Sequence, residues 1–360
     1  MKFSDIPADP GIKQKLIQTI QDQRVSHAQL FYGPEGSGKL ALAIAYAQLI
    51  NCAAPKSPPN PQKGADSCGI CPSCVQYQKL AHPDLHFFFP VATSKKVPSK
   101  PSSKHYIGEW REFLLSRNYH VSLPEWYDFI GIENKQGTIY TEDAAEINRI
   151  LSYKSYASEY KVVIIWMIEK LTYAAAPKLL KILEEPPEKT LFLLVSDNPD
   201  HVISTILSRC LPVRFPRIPD SEIGKYKAMT DDSSAAEENQ FHFVTFRDWM
   251  RFCFAGNVPD MIAFANETGK IGREKQKSLL LYGLRVASQG SLLTHGITTP
   301  ADKGSAETIF IGKFSPFLIE EKLPAFYTLF NTAIFHIERN AHTPTLFLDM
   351  SLKITALFKG

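Results

Sequence analysis

The sequence has no long apolar run and almost no excess of charge. No stretch of its 360 residues approaches the ~20 apolar residues of a membrane span, and the start MKFSDIPADP lacks the basic-then-apolar layout of a signal peptide. Lys and Arg number 40 against 37 Asp and Glu, a formal net charge of +3. This balance falls short of the basicity expected of a stand-alone DNA-binding domain. We therefore expect a cytoplasmic protein with no membrane part.

Cysteine is also scarce, and its distribution is uneven. Of six cysteines, Cys210 and Cys253 stand alone, whereas four are crowded with fifteen residues between the first two and two between each later pair: Cys52, Cys68, Cys71 and Cys74. In a reducing cytoplasm such clustering favours metal over disulfides. Four thiolates fill a tetrahedral zinc site and leave no position for water, so the spacing predicts structural zinc, with His82 and His86 as bystanders.

The order of apolar segments predicts an α/β domain over residues 1–216. Strand candidates Ala28–Tyr32, Lys161–Trp166 and Thr190–Val195, with a short segment near Val213–Phe215, alternate with helical patterns. The Val-Val-Ile-Ile run of the second strand is typical of a parallel sheet covered on both faces. The zinc knuckle, residues 52–74, interrupts this domain, and an irregular, aromatic-rich insert follows at about 85–138.

Beyond Pro216, helical periodicity replaces the strand signals. The segment 217–245 is short and polar, with the sequence DSEIGKYKAMTDDSSAAEENQ at its centre. Helical patterns at Phe246–Phe254, Glu274–Ser288 and Ile319–Ile337 then predict an all-α region over residues 246–360.

A glycine-rich stretch between the first strand and a helix resembles a phosphate-binding loop. Gly33, Gly36, Gly38 and Lys39 match the Walker A pattern, in which backbone N–H groups and the lysine surround phosphates. The next residue is Leu40, where a hydroxyl should bind magnesium. The loop could still hold ATP or ADP phosphates without metal, or persist only as a tight turn, and the residues leave both open.

The acids that should bind magnesium and activate water are missing as well. At the end of the strand Lys161–Trp166, Trp166 and Met167 stand where Asp and Glu are expected. Glu169, two positions further on, is interpreted as a solvated residue at a helix start rather than a displaced substitute. Phosphoryl transfer depends on metal positioning and charge neutralisation, so we expect an impaired magnesium site and no intrinsic ATPase.

Ser208-Arg209-Cys210 offers two interpretations. Arg209 is either an ordinary surface charge or a residue donated to a neighbour's nucleotide, where such fingers raise rates by roughly three to five orders of magnitude.

Several of these segments together resemble the delta-prime family of bacterial DNA polymerase III, clamp-loader proteins of the AAA+ class. The resemblance is carried by Ser26-His27-Ala28, the four cysteines, His82-Pro83-Asp84, the run from Leu179 to Pro187, Thr205-Ile206-Leu207-Ser208-Arg209-Cys210, and Ile337 to His342 with Leu346-Phe347-Leu348. It implies an AAA+-like P-loop domain, a small or reduced helical lid or a linker at 217–245, and a C-terminal all-α collar at 246–360 for oligomerisation.

The same resemblance implies a role in a hetero-pentamer that loads the sliding clamp onto primed DNA. The partners would be tau/gamma and delta subunits, and Arg209 would act in trans at a neighbour's ATP site. Ser196 would be a nucleotide-sensing residue. Polymerase chemistry would belong to the holoenzyme, a DNA-directed DNA polymerase. Two alternatives remain, namely a catalytically active tau/gamma-type ATPase and a zinc-dependent nucleic-acid-binding protein.

Overall fold

The computed structural model describes residues 2–6, 8–55, 65–132, 135–216, 233–294, 306–318 and 322–359. The chain divides into two compact units, Met1–Ile132 with Gln136–Tyr226 and Glu133–Lys135 with Lys227–Gly360. The described part of the first unit surrounds a parallel sheet, and that of the second is helical. This confirms the predicted fold class at the level of an α/β region followed by helices.

A five-stranded parallel sheet forms the centre of the first unit. Its strands are β1 (Ala28–Tyr32), β2 (Leu85–Phe88), β3 (Lys161–Trp166), β4 (Thr190–Ser196) and β5 (Leu211–Arg214). They lie in the order β2-β3-β4-β1-β5. Strands β3 and β4 are buried along their whole length, which explains their continuous apolar sequences. Because Tyr32 pairs with Ser196 and Trp166 with Val195, the carboxyl ends of β1, β3 and β4 meet at one edge.

Helices cover both faces of this sheet. They are α1 (Pro10–Gln21), α2 (Lys39–Ile50), α3 (Pro72–Gln78), α4 (Ile107–Ser116), α5 (Leu123–Phe129), α6 (Thr141–Leu151), α7 (Ala176–Glu184) and α8 (Ser204–Leu207). Helix α2 is buried along eleven of its twelve residues and directly follows the glycine-rich loop. The sequence of α2, which is apolar on every side, suits a helix enclosed by its neighbours.

The region predicted to be irregular is largely ordered, so that expectation was wrong. Residues 85–138 contain the edge strand β2 and the helices α4 and α5. Their aromatic side chains form a core in which the Trp110 and Trp126 rings lie perpendicular, with centroids 5.0 Å apart. Strand β2 has only four residues and lacks a clear apolar alternation, so its place in the sheet depends on pairing with β3.

The described residues of the second unit form helices, as predicted. These are α9 (Ser233–Ala255), α10 (Val258–Thr268), α11 (Arg273–Thr294), α12 (Ala306–Phe314), α13 (Leu323–Glu338) and α14 (Thr343–Lys359). Trp249 lies in their core, stacked on Phe264 at 5.0 Å, and its indole N–H donates to the Ser351 hydroxyl at 2.8 Å. None of the described helices is both long and apolar enough to span a membrane.

The lid predicted at 217–245 lies mostly outside the described residues, which resume at 233. Residues 233–245 belong to α9, and this helix continues without a break past the boundary predicted between 245 and 246. The domain boundaries, the lid and the collar therefore stay predictions.

Candidate functional site

The predicted phosphate-binding glycines form the turn between β1 and α2. Gly36 and Gly38 have positive φ angles of 76° and 74°, which residues with side chains rarely adopt. At Gly33 the constraint is space, because a Cβ there would lie 2.2 Å from the carbonyl oxygen of Phe215. Glycine occupies all three positions because a side chain would be strained at Gly36 and Gly38 and would clash at Gly33.

Lys39 begins α2, and its ammonium group is already paired. The side chain is buried, and Nζ lies 2.5 Å from Asp197 Oδ1 and donates to the Pro34 carbonyl at 3.0 Å. Asp197 directly follows β4. No sequence pattern singles out Asp197, since its proximity to Lys39 depends on β4 lying beside β1 in the sheet.

The three positions where magnesium anchors are missing hold core side chains. Leu40, Trp166 and Met167 are each about 5% exposed or less and belong to one hydrophobic cluster. The Trp166 ring lies 5.0 Å from that of Trp110 in the insert. None of these three side chains offers an oxygen ligand for magnesium.

The interpretation of Glu169 as a solvated residue was wrong. Its Oε1 accepts the N–H of Asp197 at 2.9 Å, and its Oε2 is buried without a hydrogen-bond partner in the described structure. Burial, and then the charge of Asp197, raise the pKa of the Glu169 carboxyl. Glu169 is therefore part of the loop's surroundings, two residues beyond the position where an acid was expected.

Ser196 lies beside the loop, at the end of β4. It is fully buried, and its carbonyl oxygen accepts the N–H of Gly33 at 3.3 Å. Its hydroxyl lies near Glu169 and lowers the pKa of that carboxyl. Among the described residues, neither this hydroxyl nor the buried Ser37 hydroxyl makes a hydrogen bond of ordinary geometry. A sensing role for Ser196 stays a prediction.

The four predicted metal ligands come together in the first unit. The sulfur atoms of Cys52, Cys68, Cys71 and Cys74 all lie within 4.8 Å of one another, and those of Cys68 and Cys74 are 3.9 Å apart. Zinc with Zn–S bonds of about 2.3 Å requires sulfurs roughly 3.8 Å apart, so the group needs only a small contraction. Neither His82 nor His86 belongs to this cluster.

Backbone donors favour thiolates in this cluster. The N–H groups of Cys68, Cys71 and Cys74 point to the sulfurs of Cys52, Cys68 and Cys71 at 3.2, 3.3 and 3.4 Å. The backbone N–H groups of Ile70 and Cys71 lower the pKa of Cys68 to about 6. Burial instead raises the pKa of Cys74, a penalty that a bound cation would offset. The residues thus fit a structural zinc ion.

Arg209 lies partly exposed just after α8 and just before β5. Leu211, the first residue of β5, pairs with Gln29 near the start of β1, whereas the glycine loop follows the other end of β1. Its guanidinium forms an ion pair with Glu184 at the end of α7 and donates to the Thr205 carbonyl at 2.8 Å. The Arg209 side chain is 34% exposed and that of Glu184 is 48% exposed. A pair this exposed holds the arginine only weakly.

Comparison with known proteins gives the family. The model of the family described as DNA polymerase III, delta subunit, matches residues 8–219, which is more than half of the chain. The chain belongs to this family. The matched part covers β1 to β5, the glycine loop and the four cysteines.

Curated relatives include delta-prime subunits, which confirms the resemblance noted in the sequence. The chain is 28% identical to DNA polymerase III subunit delta' of Bacillus subtilis over 57% of its own length and 47% of the relative's. It is 27% identical to that of Escherichia coli over 55% and 44%. The chain thus spans about half the length of these relatives.

Tau/gamma subunits are also among the relatives. The chain is 26% identical to the tau/gamma subunit of Haemophilus influenzae, over 63% of its own length and 25% of the relative's. A solved gamma subunit-related protein of Thermotoga maritima covers 95% of this chain and 99% of its own, with 15% identity and a TM-score of 0.37. That score is too low to support a comparison of the folds.

Proposed function

We propose that this protein is a non-catalytic clamp-loader subunit of the DNA polymerase III holoenzyme. In this role it helps load the sliding clamp onto primed DNA, in a hetero-pentamer with tau/gamma and delta subunits. The names of its relatives, delta' and tau/gamma subunits of DNA polymerase III, support such an assembly.

The observation that carries the non-catalytic part is the burial of Leu40, Trp166 and Met167. An ATPase needs a hydroxyl and two acids at these positions to hold magnesium and to orient water. Here the same three positions pack a hydrophobic core and offer neither the hydroxyl nor the two acids.

Arg209 is the residue through which the subunit would act on ATP. Its guanidinium is partly exposed and its ion pair with Glu184 is weak enough to exchange for a neighbour's phosphate. Arginine suits this role because its planar fork binds phosphate oxygens in pairs and never loses its charge. In the proposed pentamer Arg209 completes the ATP site of an adjacent tau/gamma subunit.

The test is the ATPase rate of a reconstituted complex that contains the tau/gamma subunit of the same organism, with and without this chain. We expect the wild-type chain to show no turnover alone and to stimulate its partner. Arg209→Ala should remove turnover at the adjoining site, where a finger is worth roughly three to five orders of magnitude.

Arg149→Ala is the matched control, because Arg149 is also an exposed arginine paired with a carboxylate, that of Glu146. It should stimulate like the wild type. Unchanged stimulation by Arg209→Ala would refute the role of Arg209. Magnesium-dependent hydrolysis by the purified chain, abolished by Lys39→Ala, would instead favour a tau/gamma-type ATPase, and salt-sensitive DNA binding by the chain alone would favour a nucleic-acid binder.

A further inference from the structure

The glycine loop between β1 and α2 already holds an anion, and that anion is part of the chain. Asp197 Oδ1 lies 2.5 Å from Lys39 Nζ, so the two charged groups form a direct ion pair. The Pro34 carbonyl, within the loop itself, takes a second of the three ammonium protons. The Lys39 ammonium, which in a nucleotide-binding P-loop contacts phosphate, therefore contacts a carboxylate and a carbonyl of its own chain.

Asp197 is fixed in this position from the other side. Its N–H donates to Glu169 Oε1 at 2.9 Å, and Glu169 belongs to the short 3-10 helix Ile168–Lys170 that follows β3. The neighbouring Ser196 carbonyl accepts the N–H of Gly33 and so ties the end of β4 to the start of the loop. These two contacts bracket Asp197 and direct its carboxylate to Lys39.

Lys39 and Asp197 form a neutral ion pair without any ligand. Burial, and then the charge of Asp197, raise the pKa of the Glu169 carboxyl beside them. A phosphate entering the loop would meet two carboxyl groups, and the usual anchor positions, Leu40 and Trp166, offer no ligand for the magnesium that normally neutralises it.

We propose that Asp197 takes the place of a phosphate in this loop and thereby closes it to nucleotides, with Glu169 as the residue that positions it. The loop then works as a charge-balanced turn that connects β1, β4 and α2. Removal of the Asp197 charge should open it to nucleoside di- and triphosphates held by backbone N–H groups and Lys39, without metal. This proposal concerns the chain's own loop and does not depend on the role of Arg209.

The test is calorimetric titration of the full chain with ADP and with ATP in the presence of EDTA. We expect Asp197→Asn, and the smaller Asp197→Ser, to bind at least 10-fold more tightly than the wild type. Adding Lys39→Met to either variant should abolish the gain, since the binding would depend on the freed ammonium. Asp200→Asn is the matched control, an exposed aspartate three residues further on, and it should bind like the wild type.

Thermal unfolding of the same chains provides an independent measurement. Lys39→Met and Asp197→Asn should each lower the melting temperature, and the double variant should lose less than the sum of the two, as expected for partners in one pair. The proposal is overturned if the folded Asp197 variants bind ADP and ATP with affinities within twofold of the wild type. It is also overturned if the changes in melting temperature of the two single variants simply add in the double variant.

Discussion

Trp166 packs against Trp110 with ring centroids 5.0 Å apart, and this contact joins the end of β3 to the insert that follows β2. Trp110 in turn stacks on Phe89 at 4.3 Å and contacts Trp126 edge-on at 5.0 Å. The residue that stands where an ATPase has a magnesium-binding acid is thus part of an aromatic core. Loss of the acid and attachment of the insert involve the same side chain.

Restoring the acid should therefore unfold the protein rather than activate it. Trp166→Asp removes a buried indole and places a carboxylate at 4% exposure, so we expect the free energy of unfolding to fall by about 4 kcal/mol or more. Urea denaturation measures this, and an ATPase assay should detect no turnover. Trp166→Phe keeps an aromatic ring and should lose only about half as much. Equal stability of Trp166→Asp and wild type would contradict this account of the core.

The four cysteines should hold one zinc ion per chain. Cys71→Ala removes one thiolate of the cluster, so metal analysis of the purified variant should show most of the zinc lost, and its melting temperature should fall. Cys210→Ala is the control, because Cys210 is buried but lies outside the cluster. It should retain a full equivalent of zinc. The prediction fails if the wild type purified without chelator holds no metal, or if Cys71→Ala retains it.

Asp84, from the sequence motif His82-Pro83-Asp84, should contribute strongly to stability. Its carboxylate accepts the N–H groups of Tyr156, Ala157 and Ser158 at 2.7, 2.7 and 3.0 Å, and the Ser158 hydroxyl at 3.1 Å. Asp84→Ala leaves these donors without an acceptor, and we expect a loss of about 3 kcal/mol in unfolding free energy.

Amide hydrogen exchange over residues 156–158 measures the local effect of Asp84→Ala, which should be faster exchange. Asp349→Ala serves as the comparison, since Asp349 forms an exposed ion pair with Lys353. This substitution should change stability by less than about 0.5 kcal/mol. Similar effects of the two substitutions would show that the loop does not depend on Asp84.

Asp143 should make stability depend on pH. Burial raises the pKa of its carboxyl to about 6, although the N–H groups of Ser103 and Tyr140 donate to it at 2.8 and 3.2 Å. The ordinary pKa of aspartate is about 4, so the folded state binds this proton more tightly than the unfolded chain does. The stabilisation from Asp143 is therefore complete below pH about 4 and is lost as the pH rises through about 6.

Urea unfolding of the wild type and of Asp143→Asn at several values between pH 4 and pH 7 tests this titration. The carboxamide does not titrate, so the wild type should lose up to about 3 kcal/mol relative to the variant across this range. Stability curves that run parallel from pH 4 to pH 7 would mean that Asp143 titrates alike in both states.

Local patterns in the sequence were enough to predict the strands β1, β3 and β4, the glycine loop and the cysteine cluster. Each depends on residues close together in the chain. A glycine at a position where φ is positive, as at Gly36, or a continuous apolar strand such as Val162–Ile165, reports its own backbone or burial directly. The cysteine spacing likewise reports a site that a single local segment nearly completes.

The tertiary structure alone decided which distant residues meet. Strand β2 needed the pairing with β3 to be seen, because four residues carry too weak a pattern. Glu169 and Asp197 both lie more than a hundred residues after Lys39 in the chain. Only the strand order β3-β4-β1 brings the three residues together. Sequence could show that the loop lacks its magnesium ligands; the sheet decided that a carboxylate of the same chain lies against its lysine.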